Sequence, residues 1–240
     1  MPDNRARLYT ILTAVFVTCL LVADLTGSKF FFVPLGHVGS WELLTHSVGQ
    51  FAFPVTFLLT DLVNEFYGRR GARQLTWTAL GCSGLAFLLV LAARLAPVSP
   101  QSPVPQEAFE AVFGMSNRLY VASLLAFLVG QMADIWLFGV LKRATGGRMV
   151  WLRATGSTVV SQAVDSVLVT WILLAGVPNQ TGAPPSTTEL VHIAGTGYAL
   201  KFGLALALTP LIYLGRWWMR EKLGLQPATP DEPRATARAR

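Results

Sequence analysis

FAFPVTFLLTDLVNEFYGRR, residues 51–70, decides the reading of this 240-residue chain. It is an apolar run that carries Asp61 and Glu65 and closes on a basic pair, Arg69 and Arg70. Asp134, Asp165 and Lys201 interrupt other long apolar runs in the same way. Near a bilayer centre each charge costs about 2.5–3.5 kcal/mol on insertion scales. The expectation is a polytopic membrane protein with a polar site among its helices, rather than a passive anchor.

Composition agrees with that reading. Hydrophobic residues make up 52% of the chain and charged residues 13%, where soluble domains carry about 25% charged. Gln74 to Ala93 holds no charge over 20 residues, and Ser166 to Thr188 none over 23. About 20 mostly apolar residues suffice to cross the hydrocarbon core. The net charge of +6 does not point to nucleic acid, because the basic residues flank apolar segments and are not interleaved with stacking aromatics. Cys19 and Cys82 lie inside apolar runs and read as small buried hydrophobes, not as a disulfide or metal pair. Arg5 and Arg7 precede the first run as in a signal peptide, but no small-x-small site follows it. That run is read as an uncleaved first span.

Six spans are expected, at 8–26, 50–67, 74–96, 118–141, 154–177 and 189–218. The first is expected to break at Gly27-Ser28. Pro97 to Pro105 reads as a loop, and Gln106 to Met115 as a short surface helix. Basic loops stay cytoplasmic. With the N-terminus inside, 15 of the 19 Lys and Arg residues fall on the inner side, and Lys29, Arg94, Arg118 and Lys201 are the 4 that do not. Both termini are therefore expected in the cytoplasm, with Trp151, Trp217 and Trp218 in the interfacial belt. The fold class is all-α. Residues 1–220 form one six-helix transmembrane domain, and 221–240, Pro/Ala-rich, a disordered cytoplasmic tail.

The candidate site follows from helical spacing. Asp61 and Glu65 are four apart and share a face, with Asn64 beside them. From the cytoplasmic end of the span, Glu65 is about 5 Å deep and Asp61 about 10 Å. Arg69, at i+4, offers Glu65 an interfacial ion pair. Pro54 can free a backbone carbonyl for a ligand or kink the span. Gln131 and Asp134, and Gln162 and Asp165, repeat a Gln-x-x-Asp spacing that puts amide and carboxylate on one face. Together they offer donors and acceptors to a planar heterocycle. Interhelical hydrogen bonding is the plainer reading, but at about 0.6 kcal/mol per contact it explains the glutamines and serines better than the aspartates. Lys201 can snorkel outward, pair with Asp165 or Asp134, or touch a substrate. Trp136, Trp171 and Tyr198 are aromatic candidates for stacking on a flat ligand.

HExxH, GxSxG and P-loop patterns are absent, so no catalysis, cofactor or nucleotide-driven pumping is read from known motifs. His37, His46 and His192 fall in or near external loops and do not suggest paired haem ligation in the bilayer.

FPVTFLLTDLVNEFYGRRGAR (53–73) resembles the signature of the queuosine precursor transporter family, also called the vitamin uptake transporter family. So do GQMADIWLFGVLKRATGGRMVWLRATGSTVVSQAVDS (130–166) and LKFGLALALTPLIY (200–213). The resemblance runs from about residue 20 to 215 with similar spacing. It implies a six-helix importer of 7-deazaguanine bases in the bacterial inner membrane. The substrates would be the cyano- and aminomethyl-substituted precursors of queuosine, or queuine. It also implies a plan like the substrate-capture subunits of energy-coupling vitamin importers, but without an ATPase partner. The expected partners are a small nucleobase and membrane lipid, with no nucleic acid. The choice between monomer and homodimer stays open. The expected substrate-binding residues are Asp61, Asn64, Glu65, Gln131, Asp134, Gln162, Asp165 and Lys201, with no catalytic residue and no metal. One departure stands out. Where the family often has Asn in the first span, this chain has Asp24, with Ser28 and Lys29 after it, and Lys29 is a candidate to neutralise it. A capture subunit that needs a separate ATPase complex is the alternative, and a membrane enzyme or scaffold the third class.

Overall fold

A computed structural model describes residues 4–31, 46–114, 117–146, 149–176 and 184–228. The regular structure among them is almost all helical: α1 Asn4–Thr26, α2 Phe53–Leu95, α3 Gln106–Phe113, α4 Asn117–Ala144, α5 Val150–Leu174 and α6 Thr187–Glu221. An antiparallel pairing of β1 Phe30–Phe31 with β2 His46–Ser47, then a 3-10 turn at Val48–Phe51, leads into α2. Among the described residues, Asn4–Thr26, Val48–Leu95, Tyr120–Ala144 and Thr187–Glu221 are long and apolar enough to cross a membrane. This is a helical protein with several candidate membrane-spanning segments, as the composition requires.

The stretch read as two spans, 50–67 and 74–96, lies in one 43-residue helix, α2. Gly68 divides it, with φ 69° and ψ −178°. Positive φ with extended ψ is essentially reserved for glycine, and an L side chain there costs roughly 1–3 kcal/mol. Gly68→Ala is therefore expected to destabilise the protein by about 1–3 kcal/mol. The readout is a lower melting temperature of detergent-purified protein; an unchanged one would mean that the bend is not required. Pro54 does not kink the span. It sits in the first turn of α2, where its missing N–H is no loss and its fixed φ suits a helix start.

α2 is the central element, packed against α1, α4 and α6, while α4 pairs with α5 and α5 with α6. The core runs from Phe16 and Leu20 of α1 through Leu59, Val63, Leu75 and Ala79 of α2 to Phe127 and Ile135 of α4. Small residues let helices approach closely. A Cβ on Gly215 of α6 would lie 2.9 Å from the Leu62 side chain of α2. α6 starts on a capping box: the Ser186 hydroxyl accepts from the Glu189 N–H, and the Glu189 carboxylate accepts from the Ser186 N–H. Leu85, Leu88 and Leu89 of α2 and Leu214, Trp217 and Trp218 of α6 are exposed, the outward apolar surface a bilayer solvates.

Both described ends of the chain meet the Gly68 bend. The Arg5 guanidinium donates to the Phe66 carbonyl at 2.6 Å, and the Tyr9 hydroxyl to the Gly71 carbonyl at 2.8 Å. Residues 222–228, the start of the expected tail, run back to α2. Leu225 packs with Leu62, Phe66 and Met219, and the Ala228 N–H donates to the Glu65 carbonyl at 2.8 Å. Residues 229–240, the rest of that tail, lie outside the described residues. So do His37 and Arg148, and the side chains of His46, Arg118, Trp151 and Arg153.

At the opposite end α3, the expected surface helix, is tied to α2. Arg94 pairs with Glu110 at 2.8 Å, and the Gln106 amide donates to the Arg94 carbonyl at 3.1 Å. The hydrogen bond from Arg94 holds the Glu110 carboxyl below the usual carboxylate range. A lowered carboxyl pKa keeps this tie at neutral pH and releases it only as pH falls through the lowered value.

Candidate functional site

The predicted polar residues lie on α2, α4, α5 and α6, and the straight run of α4 serves as a ruler. At 1.5 Å per residue, Gln131 is about 16 Å from Tyr120 along the axis, Asp134 about 21 Å and Lys142 about 33 Å. The polar groups fall at successive depths along this line.

The upper group surrounds Gln131. A cleft of about 310 Å³ lies between α2, α4 and α5, walled by Phe53, Phe57 and Phe127 and bordered by Gln131, Gln162 and Asp165. The Gln131 amide donates to the Thr60 hydroxyl at 3.1 Å. Lys201 of α6 pairs with Asp165 of α5, one of the partners its position offered. Its ammonium also lies 5.5 Å from the centroid of the Phe53 ring, within cation–π range. Lys201 is 8% exposed and does not snorkel out. Gln162 is buried, and its Oε1 has no hydrogen-bond partner among the described residues. The same holds for the Asn64 Nδ2 and the Ser166 hydroxyl. A buried polar atom left unpaired costs about 1–3 kcal/mol. An idle acceptor at the wall of a cleft is what a bound N–H donor would satisfy.

Asp61, 3% exposed, lies one level further along α2. It borders a second cleft of about 260 Å³ with Phe57, Thr158, Ala205 and Ile212. Phe57 is the wall that the two clefts share. Asp134 is buried too, yet it borders neither cleft. The Ser161 hydroxyl donates to its Oδ1 at 3.2 Å, and the hydroxyls of Ser157 and Thr158 also bond it. It ties α4 to α5, the role the plainer reading gave to serines and glutamines.

Glu65 closes the series. Its Oε2 lies 2.9 Å from the Lys142 ammonium and its Oε1 3.3 Å from the Arg216 guanidinium. Lys142 also donates to the Glu65 carbonyl at 3.1 Å. Lys142 of α4 and Arg216 of α6 thus meet the Glu65 carboxylate, where spacing alone pointed to Arg69 at i+4. The Gly68 bend lies between Glu65 and Arg69, which interrupts the continuous helix that i+4 pairing needs. The Arg69 stem turns to Gly139 of α4, where a Cβ would meet it at 3.1 Å.

Sequence reasoning missed the aromatic wall. Trp136, a stacking candidate, is 54% exposed, and Tyr198 stacks on Phe202. Phe53, Phe57 and Phe127 carried no signal beyond apolarity. Lys142 and Arg216 count in the sequence only toward the basic inner side, because each stands at the basic end of an apolar run. The Asp24 expectation also changes: Lys29 is exposed, and Asp24 instead accepts from Ser83 at 2.6 Å and Ser123 at 3.5 Å.

A family model described as "Putative vitamin uptake transporter" matches residues 47–215, a range that holds all eight predicted site residues. A Bacillus subtilis (strain 168) protein named "Probable queuosine precursor transporter" is 33% identical over 175 residues, 72% of each chain. An Escherichia coli (strain K12) protein named "Queuosine precursor transporter" is 28% identical over 119 residues, 50% of this chain and 51% of that one. No solved structure matches the chain.

Proposed function

Because the chain belongs to the vitamin uptake transporter family, we propose that it carries a 7-deazaguanine precursor of queuosine across the bacterial inner membrane. In this reading the two arms of α2 count as separate spans, which with α1, α4, α5 and α6 gives six. Both termini lie on the cytoplasmic side, at the end where Arg5, Arg69, Lys142 and Arg216 gather.

The observation that carries the reading is the unpaired Gln162 Oε1 beside the Asp165–Lys201 pair, in a cleft walled by phenylalanines. A 7-deazaguanine presents a ring N–H, an exocyclic amine and a carbonyl along one edge. Carboxylate and amide oxygens accept the two donors, and an ammonium or amide N–H donates to the carbonyl. Asp165, Gln162, Gln131 and Lys201 supply that set, and Phe53, Phe57 and Phe127 supply apolar faces for the ring. Asp61 and Asn64 form the next station inward. Asp134 holds α4 against α5 beneath the cleft. Glu65, between Lys142 and Arg216, closes the cytoplasmic end.

Purified protein reconstituted into vesicles without any ATPase tests this directly. Radiolabelled 7-cyano-7-deazaguanine is expected to accumulate in the vesicles. The same compound is expected to raise the melting temperature of the detergent-solubilised protein by several degrees, as ligand well above its Kd does, while adenine does not. Binding without vesicle uptake would favour a capture subunit. Neither binding nor uptake would overturn the assignment.

A further inference from the structure

We propose that the cleft at the other end of the bundle, bounded by α1, α2, α3 and α4, is a second binding site for a planar nitrogen heterocycle, whose ring N–H and amino groups meet Asp24. It is a partly open cleft, with about 500 Å³ of space that is continuous with the outside. Phe87, Leu91, Phe113 and Tyr120 line it, and Asp24 borders it. Tyr120 is about 16 Å along α4 from Gln131, so this cleft is separate from the one at Asp165. Asp24 also precedes the residues that the family model matches.

Three features give the cleft its chemistry. The first is the carboxylate. Asp24 is half-buried, and Ser83 and Ser123 donate to one oxygen each. An ionised carboxylate has about four acceptor positions, so it retains capacity for the paired donors of a heterocycle edge. The second is a flat wall: Phe87 and Tyr120 stack with centroids 4.2 Å apart at 24°. Tyr120 is fixed there, its hydroxyl donating to the Ser83 carbonyl at 2.5 Å and lying 2.8 Å from the Ser83 hydroxyl. The third is a cover. α3 brings Phe113 over the cleft and is pinned by Arg94–Glu110 and by the Ser28 hydroxyl on the Val112 carbonyl at 3.2 Å. Arg94 also borders the cleft, but its charge is met by Glu110. This leaves Asp24 as the charge available to a ligand.

A purely structural knot of Ser83, Ser123 and Tyr120 needs no carboxylate. A carboxylate beside a partly open aromatic cleft suits a ligand that brings N–H donors. The inference rests on the proposed function, since it assigns to the same solute a loading station before the Asp165 cleft.

The probe is 7-aminomethyl-7-deazaguanine, measured by equilibrium dialysis on full-length protein and by uptake into vesicles. Wild-type protein is expected to bind two equivalents per chain. Asp24→Asn is expected to bind one, and to raise the KM of uptake about tenfold with little change in kcat. Ala86→Phe, which fills the cleft without touching the bonds of Asp24, is expected to do the same and covers the case in which Asp24→Asn fails to fold. One equivalent on wild type, or two on Ala86→Phe, overturns the second site and leaves the proposed function standing. No binding to wild type of this probe or of 7-cyano-7-deazaguanine overturns both.

Discussion

Lys201→Met is expected to reduce precursor uptake by at least about 100-fold, the scale set by losing one partner of a buried charged contact. It removes the cation that pairs with Asp165 inside the bundle and that lies against Phe53. Breaking a buried pair from one side costs about 3–5 kcal/mol, because the remaining charge is left uncompensated. The stability loss therefore accompanies the uptake loss and has to be separated from it. The double variant Lys201→Met with Asp165→Leu does so. Replacing a buried ion pair by apolar residues is often neutral or stabilising, so the double variant is expected to regain its melting temperature. If the pair binds substrate, uptake stays lost. A double variant that folds and transports would reduce Lys201 and Asp165 to a structural tie, and the site assignment would fail with it.

The pairing of Lys201 with Asp165 was among the options the sequence offered, because both interrupt apolar runs near their middles. The helical, membrane-suited character of the chain was equally legible, since uninterrupted apolar length is a one-dimensional property, although two expected spans fall in the single helix α2. The structure ends α1 at Thr26 and starts α6 at Thr187, close to the expected 26 and 189. What could not be read was any feature set by rotation of one helix against another. Glu65 looked like a neighbour of Arg69 by spacing, but one glycine with positive φ redirects the chain between them. Its cations come from α4 and α6, and no local pattern announces a pairing across 77 residues. The aromatic wall was hidden for the same reason: apolar rings that face a cleft and apolar rings that face lipid look alike in sequence. Asp134 was chosen for its burial, and it is buried. Its serine partners are what distinguish it from Asp165, and those follow from the facing of α4 and α5.

Glu65→Gln is expected to lose uptake and to open the cytoplasmic end of the site. The glutamine keeps the shape of the side chain and removes the charge that Lys142 and Arg216 share. Two cations on different helices would then face a neutral group, close to a backbone bend that already relies on glycine. The stability loss is expected to exceed that of Gly68→Ala and to fall in the range of about 3–5 kcal/mol for a broken buried pair. Lys142→Gln in the same background separates coupling from simple damage. It removes one of the two cations that meet Glu65, so the double variant is expected to be more stable than the sum of the single changes predicts. A coupling energy of at least about 1 kcal/mol is expected for residues in one ion network. Opening has its own readout. Leu208 borders the Asp61 cleft, and Leu208→Cys, in a chain with Cys19 and Cys82 replaced by alanine, reports access from the side of the basic loops. A membrane-impermeant thiol reagent applied there is expected to label Leu208→Cys slowly with Glu65 present and several-fold faster with Glu65→Gln. Equal labelling rates in the two backgrounds would mean that the Glu65 network holds helices together without closing anything. Glu65 would then leave the transport machinery, while Asp165 and Gln162 would keep their place in it.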